Sequence, residues 1–130
     1  MTARSVTRLR VRKIPSDPRL LEAVEYIERN LPGKITRQDI ALRINLSKSY
    51  VGEYFKTNAG VSLSTYITRA KLERAQHLLK TSFLSIKEIS YAVGFGHESN
   101  FDRAFKHKVG ISPLAYRSRF SRRTFPKAHE

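Results

Sequence analysis

The stretch Thr36–Tyr66 recurs about 50 residues later as Ser85–Tyr116, and this repeat limits the possible folds more than any other feature of the chain. Thr36-Arg37-Gln38-Asp39-Ile40-Ala41 aligns with Ser85-Ile86-Lys87-Glu88-Ile89-Ser90 at an offset of 49 residues. Phe55-Lys56, Gly60-Val61-Ser62 and Tyr66 align with Phe105-Lys106, Gly110-Ile111-Ser112 and Tyr116 at an offset of 50, so one residue is inserted in the turn between the blocks. The same small unit is therefore built twice. The chain also carries 25 Lys and Arg against 11 Asp and Glu, a formal net charge of +14. Two similar faces with that charge suit a repeating polyanion, and double-stranded DNA, whose major groove returns each helical turn, is such a partner.

A chain of 130 residues holds one domain, or two very small ones that share an element. With 40% hydrophobic residues it can bury a core, although each half alone is near the lower size limit for independent stability. A pI near 10.6 favours phosphate backbones or anionic surfaces as partners. The absence of cysteine excludes disulfides and thiolate metal sites. The apolar runs are far too short for a membrane span, and no signal-peptide core follows the basic N-terminus. A cytoplasmic, nucleoid-associated location without a membrane partner is expected.

Residues 1–17 form a candidate arm, in which Arg4, Arg8, Arg10, Arg12 and Lys13 supply five positive charges and Pro15 and Pro18 punctuate the end. It is either an unstructured tail or a segment laid along phosphates or into a minor groove. Leu20, Val24, Ile27 and Leu31 lie on one stripe of a helix that begins at Pro18 or Arg19 and stops before Pro32-Gly33. Thr36 with Asp39, and Ser85 with Glu88, have the spacing of capping boxes that open the first helix of each copy. Ile40, Ala41 and Ile44 face the first core, and Asn45 stands where the second copy has Gly94, both suited to a left-handed turn. A helix from about Ser47 to Gly60 follows. The longest helix, from Ser62 to about Thr81, has Leu63, Tyr66, Ile67, Ala70, Leu78 and Leu79 as its apolar residues. At 1.5 Å per residue it spans roughly 28 Å, close to one turn of B-DNA, so it can space two units one turn apart. The second copy then gives a helix over Ser85–Val93, a Gly94-Phe95-Gly96 turn, a helix from about His97 to Val109, and a short helix opened by Ser112-Pro113 that runs through Tyr116. A basic tail spans residues 121–130. No strand-like block is present, and the expected fold is all-α. It has two helix-turn-helix subdomains, 18–61 and 82–120, joined by a linker helix over 62–81.

In a helix-turn-helix unit the second helix enters the major groove, and side chains not needed for the core reach the bases. In the first copy Val51 and Phe55 are core residues of that helix, which turns Ser49, Gly52, Glu53 and Lys56 outward. In the second copy Phe101, Ala104 and Phe105 pack inward, leaving Ser99, Asn100, Asp102, Arg103 and Lys106 outside. Arg103 can bond bidentately to guanine, and Asn100 to adenine or to a phosphate. Lys56 and Lys106, one turn further along, are better placed for phosphates, which position a protein without specifying sequence.

Gly94-Phe95, Ser99-Asn100-Phe101-Asp102-Arg103-Ala104-Phe105-Lys106, Gly110-Ile111-Ser112-Pro113 and Tyr116-Arg117 closely resemble the second helix-turn-helix signature of the AraC/XylS transcription regulators. The first copy resembles that family's first unit, and the likeness runs from about Pro18 to Phe120. The resemblance implies a seven-helix DNA-binding domain that places two recognition helices in adjacent major-groove segments. It also implies transcription activation through contact with RNA polymerase. Carried onto this chain, it makes Ser49, Gly52, Glu53, Ser99, Asn100, Asp102 and Arg103 base-contacting. Lys48, Lys56, Lys106 and Arg117 become phosphate-contacting. Glu53 and Gly52 depart from the family pattern, which often has a basic and a polar residue there. Gly52 either permits close backbone approach or leaves the first unit a looser binder than the second. The chain resembles the stand-alone members, such as the MarA and SoxS regulators, or equally the DNA-binding fragment of a longer, effector-regulated member.

Other function classes fit less well. His97-Glu98-Ser99-Asn100-Phe101 begins like a zinc-protease helix, but Phe101 replaces the second histidine that the motif needs. His77, His97, His107 and His129 show no ligand spacing, so neither an enzyme nor a cofactor or metal is expected. A basic nucleoid or RNA-binding protein would use the same charge, but it would not need Arg103 and Asn100 on a defined helix face. Two recognition helices in one chain lead to the expectation of a monomer on an asymmetric site of about 20 bp.

Overall fold

The computed structural model describes residues 17–31 and 33–121. The candidate arm before Asp17, the turn residue Pro32 and the tail beyond Ser121 lie outside the described residues. Among the described residues there are seven helices and no strand: α1 Pro18–Asn30, α2 Arg37–Arg43, α3 Lys48–Ala59, α4 Leu63–Thr81, α5 Ile86–Ala92, α6 Glu98–Val109 and α7 Pro113–Phe120. No described helix is long and apolar enough to cross a membrane. The chain divides into two compact units between Ala70 and Lys71, inside α4.

The two copies use the same local devices. Thr36 Oγ1 accepts from the Asp39 N–H and Asp39 Oδ2 from the Thr36 N–H, both at 3.1 Å. Ser85 and Glu88 make the same reciprocal pair at 3.0 and 2.8 Å, so both capping boxes form. Each first helix ends in one left-handed residue, Asn45 (φ 62°) or Gly94 (φ 102°). The N–H after it donates back to a carbonyl five residues earlier: Leu46 to Ala41 and Phe95 to Ser90, each at 2.9 Å. This reversal aims the next helix away from the first. Gly60 and Gly110, also left-handed, then close α3 and α6.

In the first unit α1 contributes Leu20, Ala23, Val24 and Ile27, α2 contributes Ile40 and Ala41, and α3 contributes Val51 and Phe55, all at most 2% exposed. Leu63 and Tyr66 from the start of α4 complete this core. In the second unit Leu72, Ala75 and Leu79 of α4 pack with Ile89, Val93, Phe101, Phe105 and Tyr116. The 50-residue offset therefore carries an aromatic pair as well as a sequence pattern. Phe55 meets Tyr66 at 5.6 Å between ring centroids, and Phe105 meets Tyr116 at 5.5 Å.

Three details differ from the sequence expectation. The last helix continues to Phe120, whose ring packs on Tyr116 at 4.7 Å. Leu72 and Ala75 are buried beside the expected Leu79, because the inward stripe of α4 shifts along the helix to serve the second core. Tyr54 is only 4% exposed, and its hydroxyl donates to Asp17 Oδ2 at 2.7 Å, which ties α3 to the start of α1. The same carboxylate caps α1 by accepting from the Arg19 N–H at 2.9 Å, and the Arg19 guanidinium lies over the Tyr54 ring.

These bonds make the acid limb of stability testable. The Tyr54 hydroxyl first, then the Arg19 N–H and guanidinium, hold the Asp17 carboxyl at about 2, below its ordinary 3.8. A depressed folded-state value stabilises the fold above the unfolded value, and the effect is lost as pH falls through the folded one. Asp17→Asn should therefore lower the unfolding midpoint near neutrality, and the gap from wild type should close between pH 3.8 and about 2. A second expectation concerns Ser90, which is fully buried with no hydrogen-bond partner for Oγ among the described residues, where the first copy has Ala41. Deleting an unsatisfied buried hydroxyl removes a desolvation cost, so Ser90→Ala should stabilise the chain by about 1 kcal/mol in urea unfolding.

Candidate nucleic-acid interface

Burial of Val51, Tyr54 and Phe55 on one side of α3 fixes what its other side presents. Ser49, Gly52, Glu53 and Lys56 fall at i, i+3, i+4 and i+7, so they share a face, with Lys48 beside it in the first turn. Ser49, Glu53, Lys48 and Lys56 are exposed and Gly52 is half-buried. Ser47 caps the helix by accepting from the Tyr50 N–H at 3.2 Å, and its hydroxyl also lies 3.3 Å from that of Ser49. Arg37, the first residue of α2, reaches over this face. A Cβ built on Gly52 would stand 3.0 Å from Arg37 Nη1 and 3.2 Å from its Cζ. Arg37, Ser47, Lys48 and Ser49 line one shallow, open depression.

In the second unit Phe101 and Phe105 are the buried side of α6. They continue a chain of ring contacts from Phe95 to Tyr116. Ser99, Asp102, Arg103 and Lys106 repeat the i, i+3, i+4, i+7 face, with Asn100 adjacent. Two contacts order these side chains. Arg103 Nη2 donates to Asn100 Oδ1, 2.6 Å away, and Lys106 Nζ pairs with Asp102 Oδ2 at 3.2 Å. Asp102 is the one member of this face that is half-buried rather than exposed. The structure thus gathers Asn100, Asp102, Arg103 and Lys106 into two overlapping pairs, the members of each about one helical turn apart.

Arg117 is placed differently from the α6 residues. It lies on α7, and its Nε and Nη2 donate to the Leu79 and Ser82 carbonyls, each at 3.2 Å. That satisfies acceptors at the C-terminal end of α4, where a cation is also favoured by the helix dipole. Burial lowers its pKa. Lys71 has a comparable task at the turn of the second unit. Its ammonium donates to the Gly94 carbonyl at 3.1 Å and lies 5.3 Å from the Phe95 ring centre, and burial lowers its pKa as well.

Sequence reasoning missed Arg37, Tyr50 and Lys71. Tyr50 is 47% exposed at the position that Asn100 holds in the second copy, so the repeat alignment alone could have found it. The signal for Arg37 was indirect: a glycine in the middle of a helix marks a close approach, but not the residue that makes it. Lys71 gave no signal. Among the described residues no group of three or more His, Asp or Glu is arranged to hold a metal ion.

Comparison with known proteins places this geometry. The family described as a helix-turn-helix domain matches residues 40–119. The Msm operon regulatory protein of Streptococcus mutans is 42% identical over 79 residues, 61% of this chain and 28% of that protein. The raffinose operon transcriptional regulatory protein RafR of Pediococcus pentosaceus is 36% identical over 105 residues, covering 81% of this chain and 38% of its own length. The chain therefore spans well under half of these relatives. The solved DNA-binding domain of AdpA, a global transcriptional factor in complex with a target DNA, superposes with a TM-score of 0.74 at 28% identity, covering 81% of this chain and 94% of that one. With its doubled capping boxes, left-handed turns and seated second helices, the chain belongs to the AraC/XylS family of transcription regulators and carries that family's helix-turn-helix DNA-binding domain.

Proposed function

We propose that the chain recognises a specific duplex sequence and regulates transcription from promoters that carry it, by placing α3 and α6 in successive major-groove segments. The observation that carries this reading is the outer face of α6. Phe101 and Phe105 lock the helix by its inner side, and the Asn100–Arg103 pair stands ordered on the outer one. A guanidinium and a carboxamide held together suit adjacent base edges, guanine O6 and N7 for the one and adenine N6 and N7 for the other. Ser99 and Ser49 add short donors. Asp102, tied to Lys106, holds that ammonium in place and can accept from a cytosine amino group.

Lys48, Lys56 and Lys106 take the phosphate contacts, which set register. Glu53 on α3 suits a cytosine amino group. Arg117 reaches phosphate only with donors other than the two that close α4. The repeated architecture favours a monomer on an asymmetric site of about 20 bp, since two recognition helices in one chain remove the usual need to dimerise. Activation through RNA polymerase follows the family's usual mode. A cytoplasmic, nucleoid-associated location follows from the same reading.

Selection from random duplexes gives the preferred site, and titration at fixed salt against that site and a scrambled one tests the assignment. Arg103→Ala should cost about 1–3 kcal/mol of discrimination between the two. Lys106→Ala should weaken both duplexes alike and reduce the salt slope by about 1. Equal losses on both duplexes for Arg103→Ala would remove α6 as the base-reading element.

A further inference from the structure

We infer that Arg37, a residue of the first helix of its unit rather than of the recognition helix, is the specificity-determining cation of the first unit, and that Gly52 exists as its seat. The inference rests on the DNA-reading function proposed above and extends it to a residue outside both recognition helices. Three observations carry it.

The first is steric. Gly52 belongs to the outward stripe of α3 with Ser49 and Glu53, so a side chain there would point where base edges are met. Instead, the Arg37 guanidinium fills that place, with Nη1, Cζ and Nη2 at 3.0, 3.2 and 3.4 Å from where a Cβ would stand. The second is electrostatic. Arg37 is exposed and has no ion pair among the described residues, whereas Arg43 in the same helix is paired with Glu22 at 3.2 Å. The third is the repeat. The second copy has Arg103 on its own recognition helix, where the first has Glu53, and Ile86 where the first has Arg37. Each unit thus presents one planar guanidinium on its outward face, taken from α6 in one case and from α2 in the other. A guanidinium packed face-on over Gly52 directs its in-plane N–H donors along the outer face of α3, and a small turn of this exposed side chain brings the fork onto guanine O6 and N7.

The test uses the 130-residue chain, three variants and duplex selection. Arg37→Lys keeps the charge and removes the fork, and Arg37→Ala removes both. Gly52→Ala adds a Cβ from which the guanidinium must shift by a few tenths of an ångström, while improving helix propensity, so lost folding does not explain a binding defect; thermal unfolding checks this. The expected result is that all three relax the preference at the same one or two base pairs, Arg37→Lys and Arg37→Ala by roughly tenfold in the ratio of preferred to mismatched duplex and Gly52→Ala by less. Gly52→Ala should have no further effect once Arg37 is Ala. The inference is overturned if Arg37→Lys keeps the wild-type preference. It is equally overturned if Arg37→Ala weakens every duplex alike, which would mark a phosphate contact. A wild-type chain with no sequence preference would instead refute the underlying function, a result visible before any variant is compared.

Discussion

The seating of one aromatic pair per unit governs this protein. Phe55 against Tyr66 and Phe105 against Tyr116 bury the inner faces of α3 and α6, and the outer faces follow from helical geometry alone. A helix with one side sealed in a small core has no rotational freedom about its axis. Residues at i+3 and i+4 from one another then present together without individual support. The left-handed residues Asn45 and Gly94 add the second constraint, because they set the direction in which the seated helix leaves its partner. Everything proposed for function depends on those two fixings.

Within that frame the copies solve the same problem with different chemistry. The second unit orders its outer side chains among themselves, through Asn100 with Arg103 and Asp102 with Lys106. The first leaves a gap at Gly52 and fills it from α2. Lys71 and Arg117, by contrast, turn their positive ends on carbonyls of the fold itself. A count of 25 basic residues therefore overstates the charge available for DNA, since some of it completes hydrogen bonding at helix ends.

The fold was largely legible in the sequence because its determinants are local and occur twice. Capping boxes lie within four residues, apolar stripes within one helix, and the left-handed positions announce themselves as Asn45 and Gly94. The outward faces followed from the same periodicity. What stayed hidden depends on contacts between residues distant in the chain, namely Tyr54 on Asp17, Lys71 on the Gly94 carbonyl and Arg117 on the Leu79 carbonyl. No pattern in the sequence separates a long cation that reaches a carbonyl from one that reaches a phosphate. Gly52 is the intermediate case: its residue type announced a close approach, and only the folded structure shows Arg37 as the visitor.

Helix α4 belongs to two cores at once, Leu63 and Tyr66 to one and Leu72, Ala75 and Leu79 to the other. Neither portion reaches the dozen or so residues that an isolated helix needs to persist in water, so each survives only while its own bundle is closed. Amide protection along this one helix is accordingly a double gauge. Protons lost from its first two turns clock the opening of one bundle, those from its last three clock the other, and the change of rate between them marks where one cooperative unit gives way to the next.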